Sequence, residues 1–145
     1  MDGPTDDAPV DAPARIKVLL VDDHAVVRRG LHGFFELLDD IEVVGEAEDG
    51  RRAVELVGEL GPDVVLMDLL MPVMDGIAAT AEIKARYPDV EVVALTSFIE
   101  EERVTAALEA GATGYLLKDA DADDVAVAVR RAQAGEVHLD PQVAR

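Results

Sequence analysis

The stretch PDVVLMDLLMPVMDGI, residues 62–77, decides the predicted fold of this chain. After Pro62 and Asp63 come four apolar residues and then Asp68. A loop with a second proline follows, and it ends at Asp75, the expected cap of the next helix. An apolar run without polar alternation is typical of a strand that is covered on both faces, as strands are in a parallel sheet. We therefore predict that a buried central strand places Asp68 at the carboxyl edge of such a sheet.

Four more short runs rich in β-branched residues alternate with helical patterns along the chain, and most of the five runs are continuously apolar. The five predicted strands are IKVLLVD (16–22), IEVVGEA (41–47), DVVLMD (63–68), VEVVALTS (90–97) and GYLLK (114–118). Between them, apolar residues recur at the spacing of one helix face, as in the stripe Val27, Leu31, Phe34, Phe35 and Leu38. Five strand–helix pairs predict an α/β fold, a doubly wound parallel sheet in a three-layer sandwich with right-handed crossovers.

Local signals predict where the last two helices begin and end. The pattern Ser97-x-x-Glu100 predicts a capping box at the start of the fourth helix, and Gly111 is its expected stop. The fifth helix is expected to run from a cap near Asp121 to Gly135.

Composition limits the classes of function that this chain can have. The 145 residues suffice for one domain, and a net charge of -18 would repel the phosphates of nucleic acid. Cysteine is absent from the sequence, which excludes disulfides and thiolate zinc sites. No apolar run approaches the roughly 18 residues that span a bilayer, and the N-terminus does not read as a secretory signal. We therefore expect a soluble, cytoplasmic, acidic domain.

Polar side chains occupy the ends of four predicted strands. The first strand ends in Asp22 and Asp23, the third in Asp68, the fourth in the hydroxyl donor Thr96 and the fifth in Lys118. Ligands of open α/β sheets bind outside the carboxyl ends of the strands, so these side chains should meet in one crevice. Three carboxylates repel one another at neutral pH, and Mg²⁺ is the cation that fits best because it accepts few carboxylates and keeps several waters.

Together these groups predict a receptor for a phosphoryl group. A carboxylate can attack phosphorus and form an acyl phosphate, and Asp68 is the best-placed nucleophile. Asp23, helped by Asp22, would hold the metal ion, and the backbone carbonyl of Leu70 could add a ligand. The metal ion and Lys118 would offset the negative charge on the transferring oxygens.

Each of these residues also has a structural alternative. Asp22 or Asp23 could cap the helix that follows, and Lys118 could extend its ammonium group into solvent. Asp68 is harder to explain in this way because no helix begins directly after it. The three histidines do not have metal-ligand spacing, and we interpret them as surface or capping residues: His24, His32 and His138.

The ordered set of motifs closely resembles the receiver domain of bacterial two-component response regulators. The resemblance covers about Ile16 to Pro141 and depends on VLLVDDHAVVRRGL, VVGEAEDGRRAVEL, PDVVLMDLLMPVMDGI, VVALTSF and EAGATGYLLKDA. The VDDH opening, the Thr-Ser pair and the ending GEVHLDP are similar to the NarL/LuxR subfamily of transcription factors. This resemblance implies a flavodoxin-like (βα)5 fold with strand order 2-1-3-4-5.

The resemblance also implies a role for each matching residue. Asp68 would be the phosphoacceptor, and Asp22 and Asp23 would be the acidic pair of the Mg²⁺ site, to which Asp68 and the Leu70 carbonyl also belong. The residues that would bind the phosphoryl group and switch conformation are the hydroxyl Thr96, the aromatic Tyr115 and the phosphate-pairing Lys118.

Partners and domain organisation follow from the same resemblance. A sensor histidine kinase would donate the phosphoryl group, and phosphorylation would favour a homodimer, for which Val127 is a candidate surface residue. Residues 16–135 would form the receiver domain, after a disordered acidic tail at 1–15. Residues 136–145 would begin a linker toward a C-terminal helix-turn-helix domain that this chain does not contain, so DNA would be bound only through that domain. We expect no membrane partner.

Two details of the site are specific to this sequence. Leu70 and Phe98 stand two residues beyond the acceptor and the switch hydroxyl, and we hypothesise that they shield the acyl phosphate from water. Many receivers have a cis proline after the lysine, whereas Asp119 follows Lys118 here. A cis bond before a non-proline residue costs about 2.5–4 kcal/mol, so either a trans bond or a strained cis bond is expected.

Two other functions fit part of the pattern. A Mg²⁺-dependent aspartyl phosphohydrolase uses the same kind of nucleophile but usually carries Asp-x-Asp, and Leu70 occupies the position of the second carboxylate here. Steady turnover of p-nitrophenyl phosphate would indicate that enzyme. A stand-alone receiver or adaptor would use the same pocket without a DNA-binding domain.

Overall fold

The structure is a computed structural model that describes residues 14–97 and 99–141. The strands are β1 (Ile16–Val21), β2 (Ile41–Ala47), β3 (Val64–Asp68), β4 (Glu91–Thr96), β5 (Gly114–Leu117) and β6 (His138–Leu139). The helices are α1 (Ala25–Glu36), α2 (Gly50–Leu60), α3 (Gly76–Arg86), α4 (Glu101–Glu109) and α5 (Ala122–Gln133). Each of the five predicted strands is present, with ends within one residue of the prediction. Most of the predicted tail at 1–15 lies outside the described residues.

The strands form one parallel sheet in the order β2-β1-β3-β4-β5-β6. The first five strands therefore have the predicted order 2-1-3-4-5, and the flavodoxin-like (βα)5 fold is confirmed. β3 lies between β1 and β4, and all of its residues are buried. This position explains why its sequence is apolar without alternation, and it sets Asp68 between the ends of the two neighbouring strands.

Helices cover both faces of the sheet and produce the three-layer sandwich. On one face Phe35 of α1 and Val129 of α5 pack with Leu66 of β3. On the other face Ile83 of α3 and a stripe of α2 pack with Met67 of β3. Consecutive residues of a strand point to opposite faces, so β3 contributes to both cores and is anchored from both sides.

The sixth strand lies in the segment predicted to begin a linker, residues 136–145. His138 and Leu139 pair in parallel with Gly114 and Tyr115 of β5, and the Asp140 N–H donates to the Tyr115 carbonyl at 2.9 Å. The part of this segment that is described thus extends the sheet at the β5 edge. A two-residue strand has too few residues to produce a periodic signal, which is why the sequence did not predict it.

The fourth helix begins differently from the prediction. Its N-cap residue is Glu100, which makes no side-chain cap hydrogen bond, and Ser97 is exposed. The predicted Ser97–Glu100 capping box is therefore wrong. The Glu100 carboxylate instead accepts a hydrogen bond from Arg103 one turn into the helix.

No helix within residues 14–97 and 99–141 combines the length and apolar character that crossing a membrane requires.

Candidate functional site

Asp68 lies at the carboxyl end of β3 and is 2% exposed. Its position is fixed by the close approach of α3, whose first residue is Gly76. A Cβ atom at Gly76 would lie 2.1 Å from the Asp68 carbonyl oxygen, and the Gly76 N–H donates to the Leu69 carbonyl at 3.0 Å. Only a glycine fits there, so Gly76 in the sequence Met74-Asp75-Gly76 helps to place the Asp68 carboxylate.

The loop between β3 and α3 is held by backbone hydrogen bonds. The Gly50 N–H at the start of α2 donates to the Met74 carbonyl at 3.0 Å, and the Met74 N–H donates to the Pro72 carbonyl at 2.7 Å. The second bond closes a γ-turn whose central residue, Val73, has a φ of 68°. A β-branched side chain is strongly disfavoured in this left-handed conformation, so neighbouring elements impose the shape of the loop.

Lys118 connects the buried carboxylates. Its Nζ lies 2.8 Å from Asp22 Oδ2 and 3.2 Å from Asp68 Oδ2, and its side chain is 12% exposed. These two oxygens are buried and make no hydrogen bond of ordinary geometry within the described residues, so the ammonium group is their charge partner. The alternative in which Lys118 extends into solvent is therefore wrong. The peptide bond from Lys118 to Asp119 is trans.

The acidic pair at the end of β1 points into the same pocket. One ligand atom from each of Asp22, Asp23 and Asp68, together with His24, lies within 4.8 Å of the others. The Asp22 side chain is buried, and the Asp23 side chain is 32% exposed at the rim. Neither aspartate is the N-cap of α1, because that position belongs to His24. Capping is therefore not the main role of this pair, although Asp22 Oδ1 accepts the His24 N–H at 2.8 Å just before the helix.

Thr96 and Tyr115 lie beside this pocket on β4 and β5. Thr96 is 1% exposed, and its carbonyl accepts the Lys118 N–H at 2.7 Å. The Tyr115 ring is fully buried, and its hydroxyl makes no hydrogen bond of ordinary geometry within the described residues. Burial raises the pKa of Tyr115, while the charge of Arg103 on α4 and the Thr96 side chain act in the opposite direction. The aromatic residue thus lies between the strand ends and α4.

The electrostatics of the pocket are dominated by crowding of negative charge. Burial, reinforced by the nearby charge of Asp22, raises the pKa of Asp68 to about 6, although Lys118 acts against this rise. Burial alone would lower the pKa of Lys118, but its contact with Asp22 and the charge of Asp68 raise that pKa above its usual value. The pocket therefore holds Lys118 as an ammonium ion and disfavours a third full negative charge.

An open cavity of about 420 Å³ lies outside the strand ends, lined by His24, Val27, Ser97, Lys118 and Asp119. Leu70, the first predicted shielding residue, is 42% exposed. Phe98, the second predicted shielding residue, lies outside the described residues.

Two residues of the pocket wall were missed by the sequence analysis. His24 is indeed at a cap position, but its imidazole lies against Asp22 and Asp23 at 3.0 and 3.2 Å. Arg28 donates to the Asp22 carbonyl and forms an ion pair with Glu46 at 2.9 Å. The sequence order Asp-Asp-His could have indicated that His24 lies near the acidic pair. The Arg28 contact could not be predicted because it depends on how α1 packs against β1 and β2.

Glu46 also binds the second histidine, His32, which is therefore more than a surface residue. His32 Nδ1 lies 2.8 Å from a Glu46 carboxylate oxygen. The hydrogen bond from His32, together with Arg28, lowers the pKa of Glu46 against the opposing effect of burial. These contacts fasten α1 to β2 behind the pocket.

Sequence comparison agrees with this geometry. Residues 18–130 match the family described as the response regulator receiver domain. The chain is 51% identical over 129 residues to the transcriptional regulatory protein LiaR of Bacillus subtilis, and 50% identical over 128 residues to the response regulator protein VraR of Staphylococcus epidermidis. These alignments cover 89% and 88% of the chain. They cover 61% of each relative, so the chain spans about three fifths of their length.

Solved structures give the same result. A LuxR-family two-component response regulator from Aurantimonas superposes with a TM-score of 0.85 at 34% identity, covering 90% of this chain and 94% of that one. The signal receiver domain of the response regulator NarL from Mycobacterium tuberculosis superposes with a TM-score of 0.82 at 35% identity, covering 86% of this chain and 100% of that one.

Proposed function

This chain belongs to the response regulator receiver domain family of two-component systems, and we propose on that basis that Asp68 accepts a phosphoryl group from a phosphohistidine of a sensor histidine kinase. The observation that carries the proposal is the contact of one ammonium group, Lys118 Nζ, with the buried carboxylates of both Asp22 and Asp68. A fixed positive charge beside a nucleophilic carboxylate is what transfer of an anionic phosphoryl group requires.

In the proposed reaction, an Asp68 carboxylate oxygen forms a bond to phosphorus as the bond from phosphorus to the donor imidazole nitrogen breaks. The donor histidine leaves as a neutral imidazole after it takes up a proton. Lys118 stays charged throughout because its pKa is raised, and it balances the negative oxygens of the transferring group. The open cavity at the strand ends admits the donor side chain.

The donor set fits the Mg²⁺ that this family implies. Asp22, Asp23 and Asp68 each offer a carboxylate oxygen, these oxygens lie within 4.8 Å of one another, and carboxylate oxygens are the ligands that Mg²⁺ prefers. Asp22, Asp23 and Asp68 would hold the ion, and the Leu70 carbonyl is the proposed additional ligand. When bound, the ion supplies positive charge to the phosphoryl oxygens.

The switch is proposed to run through Thr96 and Tyr115. Phosphorylation of Asp68 adds acceptor oxygens beside Thr96, and the threonine hydroxyl turns toward them. Tyr115 then repacks between β5 and α4, which changes the surface of α4, β5 and α5. Val127 on α5 is proposed to lie in a homodimer surface that forms on phosphorylation.

The role of the whole protein is also a proposal, since the relatives are longer than this chain. We propose that the receiver, residues 16–135, works in the cytoplasm and controls transcription through a DNA-binding domain that follows the linker. Leu70 and Phe98 are proposed to slow hydrolysis of the acyl phosphate, so that the domain acts as a signalling module rather than a turnover enzyme. A stand-alone adaptor would accept phosphate in the same way without regulating DNA binding.

The test is treatment with acetyl phosphate and Mg²⁺, followed by intact mass and size measurement. We expect an adduct of about 80 Da on the wild type and none on Asp68→Asn, because the new group is one phosphoryl unit on that carboxylate. Asp119→Asn is the matched control, since this aspartate lines the mouth of the same cavity and should leave the adduct in place. Leu70→Ser should shorten the lifetime of the adduct.

Three outcomes would contradict the proposal. An adduct that persists in Asp68→Asn would place the acceptor elsewhere. Continuous release of phosphate or turnover of p-nitrophenyl phosphate would indicate a phosphohydrolase. An adduct without any change in size or conformation would contradict the proposed switch and support only the role of Asp68 as a phosphoryl acceptor.

A further inference from the structure

We propose that Arg28 is a positioning residue that sets the arrangement of the acidic pair, Asp22 and Asp23, by holding the peptide bond between them. The inference rests on the proposed function, because both aspartates belong to the carboxylates proposed to hold Mg²⁺. Arg28 lies on α1, and one of its terminal N–H groups donates to the Asp22 carbonyl, which is the oxygen of that peptide bond. Its Nε donates to Glu46 of β2 at 2.9 Å. One guanidinium group thus joins α1 to the carboxyl ends of β1 and β2.

The backbone of Asp22 is held on both sides. Its N–H donates to the carbonyl of Ala47, the last residue of β2, at 3.0 Å, and its carbonyl accepts from Arg28. The planar peptide that contains this carbonyl ends in the N–H of Asp23. A bond to the carbonyl therefore restricts rotation about the backbone bonds that aim the two carboxylates. Arg28 acts on the acidic pair through the backbone.

A change of register in the sheet places Glu46 where it can hold Arg28. β1 and β2 pair in parallel, and their register shifts by one residue just after Val18 pairs with Val43. Without the shift, strict alternation would turn Glu46 away from the face that carries Val43. With it, Val43 packs against the core cluster on the α1 side, and Glu46, three residues further on, faces the same helix and bonds Arg28. Irregularities of this kind re-aim side chains beside functional sites.

Glu46 is itself fixed through both of its carboxylate oxygens. Oε1 accepts from Arg28, and Oε2 lies 2.8 Å from Nδ1 of His32, one turn further along α1. The Arg28 side chain is 17% exposed, so solvent screens this ion pair less than a pair on the open surface. A guanidinium group presents its N–H groups in a rigid plane, so the bond to Glu46 also fixes the direction of the bond to Asp22. A lysine in this place would keep the charge and lose that constraint.

The test separates Mg²⁺ affinity from the rate of phosphorylation at saturating Mg²⁺ in Arg28→Lys. We expect the Mg²⁺ affinity, measured by calorimetry, to fall roughly tenfold or more, because partners that orient metal ligands have effects of this size. The rate of adduct formation with acetyl phosphate at saturating Mg²⁺ should fall less than about threefold, because Asp68 and Lys118 are unchanged. In the metal-free domain, the NMR order parameter of the Asp23 amide should fall, because its peptide is no longer held.

Arg130→Lys is the matched control. Arg130 also ties a helix to β2, through bonds from Nε and Nη2 to Asp40 at 2.7 and 3.1 Å, but Asp40 precedes β2 and lies at the opposite end of the strands from the pocket. The control should change Mg²⁺ affinity less than about twofold, because distant sites act independently. Glu46→Gln removes the charge that holds Arg28 and should lower Mg²⁺ affinity about threefold or more. Added to Arg28→Lys, it should cause little further loss, because both changes act through one peptide.

Unchanged Mg²⁺ affinity in Arg28→Lys would overturn the inference, and so would an equal loss in Arg130→Lys, which would indicate a general loosening of the domain. Urea denaturation shows whether Arg28→Lys is folded. If it is not, Glu46→Gln decides the matter, and wild-type Mg²⁺ affinity in that variant would overturn the inference. If the wild type binds Mg²⁺ and is phosphorylated on Asp68 while both variants bind Mg²⁺ equally well, only this inference fails. If the wild type neither binds Mg²⁺ nor forms the adduct, the proposed function fails, and this inference fails with it.

Discussion

Asp68 is the side chain whose protonation the fold changes most clearly. Burial and the charge of Asp22 raise its pKa to about 6, against about 3.9 for an aspartate in an unfolded chain. The folded state therefore binds this proton more tightly than the unfolded state does. It follows that the contribution of Asp68 to stability is largest below about pH 4 and is lost as the pH rises to about 6.

Replacing Asp68 by asparagine should stabilise the metal-free domain at pH 8. The neutral amide removes a buried negative charge that repels Asp22, and a pKa shift of about two units corresponds to an upper limit of about 3 kcal/mol. We expect a gain of about 1–3 kcal/mol in the free energy of unfolding, measured by urea denaturation in the presence of a chelator.

The pH dependence distinguishes this cause from a general effect of the substitution. The gain should shrink toward pH 4, where the wild-type carboxyl is already protonated. Asp39→Asn, at an exposed position, should change little at either pH. A gain of the same size at both pH values, or a loss of stability at pH 8, would show that repulsion in the pocket does not limit stability.

The sequence could predict that the polar side chains at the strand ends meet in one pocket, but it could not predict which other residues contact them. Aspartates and a lysine that directly follow apolar runs must lie at the carboxyl edge of a parallel sheet, and Lys118 does contact Asp22 and Asp68 there. A histidine next to an acidic pair is equally compatible with a helix cap and with a pocket residue. Only the turn of the His24 ring toward the carboxylates distinguishes the two.

At the scale of elements, the junction of β3 with α3 is the critical contact. Gly76→Ala should distort it, because the added Cβ would lie 2.1 Å from the Asp68 carbonyl oxygen and 2.8 Å from the Leu69 Cα. These are backbone atoms, which cannot turn aside as a side chain can. We expect a loss of about 2–4 kcal/mol in the free energy of unfolding and a weaker response of Asp68 to acetyl phosphate.

Gly33→Ala is the matched control for that substitution. Gly33 lies inside α1, and a Cβ atom there would meet nothing within 4 Å. The alanine should raise stability by about 0.5–1 kcal/mol, since glycine is the poorer helix former. If the two alanine variants unfold at the same denaturant concentration, the close approach at Gly76 does not hold the junction.

The length and character of each element explain which ones were predictable. Most of the first five strands are continuous apolar runs, and the ends of all five agree with the prediction to one residue. The predicted capping box at the start of α4 was wrong. A Ser-x-x-Glu pattern does not show which other groups bind the glutamate, and here Arg103 binds the Glu100 side chain. β6 escaped prediction because its two residues are recognised only by their pairing with β5.

For the molecule as a whole, β6 ties the segment after α5 to the strand that carries Tyr115. Leu139 packs into the cluster that contains Tyr115, Leu69 and Ala107, and the Asp140 N–H bonds to the Tyr115 carbonyl. The segment through which the receiver would join a following domain thus touches the aromatic residue of the proposed switch.

Leu139→Ala should loosen this attachment without unfolding the sheet. Loss of a partly buried leucine side chain should cost about 1–2 kcal/mol locally and speed hydrogen exchange of the His138 and Asp140 amides roughly tenfold. Amide exchange measured by NMR checks this expectation. Val137→Ala, a change at a residue that is 63% exposed, should leave those amides unaffected. Equal exchange in both variants would show that Leu139 does not hold β6.

The γ-turn at Val73 has a consequence for the order of folding. A valine at a φ of 68° does not adopt this shape by local preference, so the loop cannot form before its anchors are in place. Those anchors are the Gly50–Met74 and Gly76–Leu69 hydrogen bonds, which join segments from α2, β3 and α3. We therefore expect the sheet to form first and the loop between β3 and α3 to form late. Only the fully folded chain should then accept a phosphoryl group on Asp68.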